Sequence, residues 1–366
     1  MMFVVGKEPD DARVAIHPAV AAKLISDGHE VWVEEGAGEK SFYPDASYEV
    51  VGAKMGTKEA LFPKAHVLAR ISPPSEAELA LLAPKTMVIA QFDTRSHPER
   101  KTQLAATDLW PFSLDLIPRT TIAQSMDILS SMASLAGYKA VLEAAHLLPS
   151  YFPMLMSAAG TIPPAKILIL GAGVAGLQAI ATARRLGAVV EAFDVRSAVK
   201  EEVESLGAKF VEVAGAREDQ AAGGYAVTQT EEYQAKQRAL IHERASKSDV
   251  IITTANIPGR TAPILITAET IKAMKPGSVI IDMASATGGN CELSKDQQSI
   301  QVHGVQIVGN SNLADSLPRD ASALFANNIL SFFRYICPDG PDKIDFANEI
   351  VSATYLGAPQ VAAAKG

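Results

Sequence analysis

The chain has 366 residues, too many for one ordinary hydrophobic core and enough for two domains of about 150 residues each. It is 48 % apolar and 20 % charged, as globular proteins are, and no apolar run approaches the roughly 18 residues of a membrane helix. A formal net charge of -8 with no basic block argues against nucleic acid or an anionic membrane surface as a partner. Cys291 and Cys337 cannot frame a disulfide scaffold, so a reducing cytosol is the expected home. The N-terminus, Met1-Met2-Phe3-Val4-Val5-Gly6, has no basic region and does not read as a signal peptide.

In chain order, Phe3-Val4-Val5 reads as a strand, Pro18 opens a helix that stops at Gly28, and Val31-Trp32-Val33 is the next strand. Further strands are expected over about 66–71 and 87–92. A long helical pattern follows from about 124 to 148, with Gly137 as its break or close-packing point. After Pro163-Pro164 come six short β-rich runs, at 166–170, 189–194, 209–213, 249–255, 278–284 and 305–309. Their near-continuous Val and Ile runs suit strands buried on both faces of a parallel, doubly wound sheet. A second long helix is expected from about 320 to 335.

The strongest motif is Gly171-Ala172-Gly173-Val174-Ala175-Gly176, with strand Ile167-Leu168-Ile169-Leu170 before it and a helix after it. A bare glycine turn would be weak evidence, but the following strand ends in Asp194, eighteen positions after the third glycine. Gly171 permits the tight turn, Gly173 lets backbone approach a pyrophosphate, and Gly176 lets helix and sheet pack closely. The free N–H groups and dipole of the helix N-terminus favour phosphate. Asp194 can accept both hydroxyls of an adenosine ribose and repels a 2′-phosphate, which favours NAD over NADP; Arg196 could soften that preference. A second constellation runs from Arg119 to Ser130. Gln124, Asp127 and Ser130 lie three apart, which predicts one face at the start of a helix. Such a ridge could bond a nicotinamide carboxamide and ribose, or could simply cap the helix; spacing leaves both open.

Longer stretches carry a resemblance. Gln124-Ser125-Met126-Asp127-Ile128-Leu129-Ser130-Ser131, Leu135-Ala136-Gly137-Tyr138, Ala158-Ala159-Gly160-Thr161, Ala222-Gly223-Gly224-Tyr225, Ile257-Pro258-Gly259 and Gly288-Gly289-Asn290-Cys291 resemble the NAD(H)-binding subunit of proton-translocating nicotinamide nucleotide transhydrogenase. Asp11-Ala12-Arg13-Val14-Ala15 resembles the same family and its relative, alanine dehydrogenase. The resemblance implies NAD(H) held in the cleft between two domains. Hydride would pass to NADP(H) on a partner chain, coupled to proton movement through a membrane component. It implies that Arg119, Gln124, Asp127 and Ser130, with Ser125 and Met126, surround the nicotinamide end. Val174, Asp194, Val195, Arg196, Gly224, Gln237 and Asn256, with Gly171, Gly173 and Gly176, would line the rest. Tyr225 would join the catalytic group on a closing loop that Gly223 and Gly224 allow to bend, although Gly-Gly-Tyr also suits an inert surface turn. Ile122 departs from the pattern, since the family usually has a second arginine there.

Alanine dehydrogenase is the sharpest rival reading. Its reaction moves protons and needs a lysine, a histidine and an aspartate near the substrate. The matching positions here are Ala69, Gln91 and Ala286. Direct hydride transfer between two nicotinamides needs no such groups. A non-enzymatic NAD-dependent regulator is a third reading, with no basic or amphipathic effector surface to support it. The seven histidines show no metal-ligand spacing and neither cysteine has a CxxC partner, so no metal is expected. Lys7, Glu8 and Arg13, near the first strand, could reach the cleft between the expected domains or form a solvated loop.

The expected protein is α/β with two domains. Residues 1–136 with 316–366 form an α/β domain from both chain ends, and 137–315 form a Rossmann domain with a doubly wound parallel sheet. As the family resemblance implies, it would be a homodimer in the cytoplasm, peripheral to the inner face of the membrane through NADP(H)-binding and membrane-spanning partner subunits.

Overall fold

The computed structural model describes residues 1–213, 230–256 and 259–358. Two compact units emerge, Met1–Met132 with the C-terminal stretch from Asp315, and Ala133–Ala314.

The first unit is built on six parallel strands: β1 Met2–Val5, β2 Glu30–Glu34, β3 Lys54–Gly56, β4 Val67–Ala69, β5 Met87–Ala90 and β6 Trp110–Ser113. Their order is β3-β2-β1-β4-β5-β6, doubly wound. Successive side chains point to opposite faces, so Phe3, Val5, Val31 and Val33 enter one core while Val4, Leu68 and Val88 enter another. β3 and β6 were not expected. β3 is only three residues of mixed character, and β6 contains Pro111, which an edge strand tolerates because one side needs no ladder bond.

The chain end belongs to this unit because the helix Pro318–Ile336 buries Phe325, Ile329, Phe332, Phe333 and Ile336 in its core. The Phe333 ring stands edge-on to Phe3 with centroids 4.6 Å apart, and Phe332 meets Phe112 at 5.8 Å.

A buried ionic network fills the end of β4. Arg70, 1 % exposed, directs Nε to Glu8 at 3.0 Å and Nη1 to Glu78 at 3.1 Å. Glu8 also accepts the Ile71 and Ser72 N–H groups. The solvated-loop reading is therefore wrong for Glu8, whose carboxylate is buried because Arg70 and two backbone donors replace its water. Arg13 forks onto Asp11 and meets Asp315 at 3.3 Å.

Among the described residues the second unit is built on a seven-stranded sheet: β9 Lys166–Leu170, β10 Val189–Phe193, β11 Lys209–Val211, β12 Val250–Thr253, β13 Val279–Asp282, β14 Gln298–Val302 and β15 Val305–Gly309. The order is β11-β10-β9-β12-β13-β15-β14, all parallel except β14, which runs antiparallel to β15. The six expected runs thus form the doubly wound sheet. β14 was missed because it is a polar edge strand, held through the His303-Gly304 turn with φ of 52° and 78°. A separate antiparallel hairpin pairs β7 Leu155–Ser157 with β8 Gly160–Ile162.

The long helix spans Ile128–Leu147 and passes unbroken through Gly137. A Cβ there would run into the backbone of Ala175, so Gly137 serves close packing. No helix among the described residues is long and apolar enough to cross a membrane.

Candidate functional site

The glycine turn joins β9 to the helix Val174–Arg185 in the second unit. Gly171 has φ of +104°, and a Cβ on it would lie 2.5 Å from Thr254 Oγ1. A Cβ on Gly176 would collide with the Gly171 carbonyl, so the helix can sit this close to the strand only as glycine. A Cβ on Gly173, by contrast, would meet nothing within 4 Å. No side chain caps the helix at Gly173. The first-turn N–H groups are left with their positive end toward open space, a fitting cradle for pyrophosphate.

Asp194 follows β10 and completes this corner. It accepts from Ala172 N at 2.8 Å, from Arg196 N and Nε at 2.9 Å, and from Arg196 Nη2 at 2.7 Å. Its hydrogen bonds to Asp194 raise the Arg196 pKa above its ordinary value. The carboxylate therefore carries its own counter-ion.

Residues that sequence reasoning missed support the turn from behind. Thr254, just after β12, donates its hydroxyl to the Gly171 carbonyl at 3.0 Å. Asn290, fully buried, accepts from Ala255 N at 3.0 Å and donates to the Ala255 and Pro263 carbonyls. Asp282 accepts from Thr253 Oγ1, Ala284 N, Cys291 N and Ser294 Oγ. Position was the available signal for Thr254 and Asp282, since the carboxyl ends of parallel strands face the ligand in such sheets.

The polar ridge lies in the first unit and differs from the expected geometry. Gln124–Met126 is a separate 3₁₀ turn, and the helix starts only at Ile128. Gln124, Asp127 and Ser130 therefore do not share one helical face. Asp127, with φ −75° and ψ 95°, is the cap: its carboxylate accepts from Ser130 N at 2.9 Å and Ser130 Oγ at 2.6 Å. Those bonds require a non-helical backbone at Asp127, which is why the turn and helix separate. Gln124 is exposed, and its side chain makes no hydrogen bond among the described residues. Ser125 and Arg119 are also exposed, whereas Met126 is buried in the core.

Among the other positions, Val174 is exposed and Val195 packs at the edge of the second core. Gln237 is buried on the helix Glu231–Ala245, and Asn256 accepts from the Thr287 hydroxyl at 3.1 Å. Gly223, Gly224, Tyr225, Ile257 and Pro258 lie outside the described residues. Ala69 is fully buried on β4, Gln91 is half-buried and Ala286 is exposed. Both cysteines are buried, and burial pushes the Cys291 thiol up to about 11, which suits packing better than nucleophilic attack.

A doubly wound sheet with a glycine turn and an acidic residue closing the second strand defines a dinucleotide-binding α/β protein. Family models narrow this further: the alanine dehydrogenase/PNT N-terminal domain matches residues 5–136 and the C-terminal domain matches 140–358. The chain belongs to the alanine dehydrogenase/PNT family. The second match runs past the compact unit ending at Ala314 because the helix Pro318–Ile336 follows in sequence yet packs in the first unit. An NAD(P) transhydrogenase alpha-subunit chain of Rhodospirillum rubrum is 44 % identical over 342 residues, covering 91 % of this chain and 89 % of that one. A solved transhydrogenase structure from Sinorhizobium meliloti matches at 44 % identity and a TM-score of 0.89, over 98 % of this chain and 99 % of that one. The alanine dehydrogenase of Mycolicibacterium smegmatis is more distant, at 27 % over 339 residues, covering 90 % of this chain and 85 % of that one.

Proposed function

We propose that this chain is the NAD(H)-carrying alpha subunit of a proton-translocating transhydrogenase. In that role it exchanges hydride with NADP(H) held on a partner component, and works as a homodimer on the cytoplasmic side of the membrane that holds the other subunits. The bound nicotinamide supplies the hydride chemistry. The chain's own residues bind and orient. The first-turn N–H groups at Gly173 take the pyrophosphate, and Asp194 accepts the adenosine ribose hydroxyls. Gln124, Asp127 and Ser130, with Arg119, orient the nicotinamide end.

The observation that carries this reading over an amino-acid dehydrogenase is the chemistry of Ala69, Gln91 and Ala286. None of the three can move a proton, and hydride passing between two nicotinamides does not ask for one. The 44 % identity to a transhydrogenase alpha subunit, against 27 % to an alanine dehydrogenase, points the same way. Titration calorimetry with NADH and NADPH tests the nucleotide assignment. NADH should bind at least about tenfold more tightly, roughly 1.4 kcal/mol. Equal affinities would remove Asp194 from the adenosine end.

A further inference from the structure

We infer that Asn328 is a positioning residue for the Gln124 turn, and this rests on the proposal that Gln124 orients the nicotinamide. Asn328 lies on the helix Pro318–Ile336 and is 6 % exposed. Its Nδ2 donates to the Ser125 carbonyl at 2.8 Å, across 203 residues of chain. Within the turn, Met126 N donates to Ala123 O at 2.9 Å, but the bonds of Gln124 itself are long: Gln124 N reaches Thr121 O at 3.5 Å and Asp127 N reaches Gln124 O at 3.4 Å. Met126 anchors the turn from below, in the core shared with Phe325 and Phe332.

The second observation concerns the other end of the amide. Asn328 Oδ1 is buried and has no partner among the described residues. A leucine would fill this site without an orphan acceptor, so packing alone gives no reason for an amide. Donation to Ser125 does. Asn328 fixes the carbonyl between Gln124 and Met126, and thereby the direction in which the exposed Gln124 side chain leaves the turn.

The test uses the full chain reconstituted with its NADP(H)-binding partner, followed by stopped flow at saturating nucleotides and at a temperature well below melting. Asn328→Leu should slow hydride transfer at least about fivefold, because transfer depends steeply on alignment, while NADH affinity changes less than about twofold. Gln124→Asn should slow transfer too. Combining the two should cost no more than the larger single loss, since both disturb one presentation. If Asn328→Leu does not fold, Asn328→Asp keeps the size, removes the donor when ionised and should be slow in the same way. Wild-type transfer in folded Asn328 variants, with Gln124→Asn slow, overturns the positioning role and leaves the ridge intact, as do losses that multiply. Wild-type transfer in Gln124→Asn removes the ridge itself from the site.

Discussion

Asp127 accepts both the N–H and the hydroxyl of Ser130, so a substitution there touches helix stability as well as anything its charge does for a nucleotide. The two effects separate cleanly. Asn caps nearly as well as Asp, so Asp127→Asn should leave the melting point almost unchanged while slowing hydride transfer about tenfold or more, roughly 1.4 kcal/mol of barrier. Asp127→Ala should lose about 1 kcal/mol of stability in addition. Melting curves beside stopped-flow rates check both; a normal rate in Asp127→Asn would leave capping as its whole role. Asp194→Asn should do the reverse, weakening NADH binding about tenfold with little change in saturated rate. At this scale the sequence was readable wherever backbone sterics decide the residue, as at Gly171 and Gly176, because only glycine suits those turns. It gave no role to the side chains of Asn290 and Asn328, whose partners lie 35 and 203 residues away. Spacing also misled over Gln124, since side-chain capping by Asp127 interrupts a pattern that reads as continuous helix.

Glu78 shows an element held by charge. Burial raises its pKa, yet the Lys58 ammonium, the Ser75 N–H and Arg70 bring it down to about 2. A carboxylate lowered in the folded state stabilises the fold above its unfolded value of about 4.5 and loses that contribution as pH falls toward about 2. Glu78→Gln should therefore lose on the order of 2 kcal/mol at pH 7, and its deficit against the native chain should shrink between about pH 4.5 and pH 2. Denaturant titrations at several pH values measure this; a pH-independent deficit would contradict the assigned charge state. The strands legible in the sequence are the apolar runs of both sheets, whose double-sided burial leaves a strong signal. β14 and β6 were hidden, one by its polar edge and the other by Pro111.

The described residues of the molecule form two doubly wound sheets, and the sequence announced one more clearly than the other. The glycine turn and Asp194 mark the second unit as a nucleotide fold, whereas the first has no comparable fingerprint and its β3 is barely a strand. Its closing helix comes from the far end of the sequence, with Phe333 packed edge-on to Phe3. The Ala69, Gln91 and Ala286 set leads to a chemical expectation for the complete molecule: with NAD and L-alanine it should show no turnover. Even about 1 per second, a low but ordinary enzymic rate, would restore the dehydrogenase reading. The central claim is that hydride leaves NADH on this chain directly for NADP on a partner. Reconstitution with the NADP(H)-binding component, following hydride exchange between NADH and an NADP analogue, tests it most directly. Exchange that requires both components and is slowed by Gln124→Asn is the expected result; no exchange from a folded, NADH-binding chain in the complete complex would contradict it.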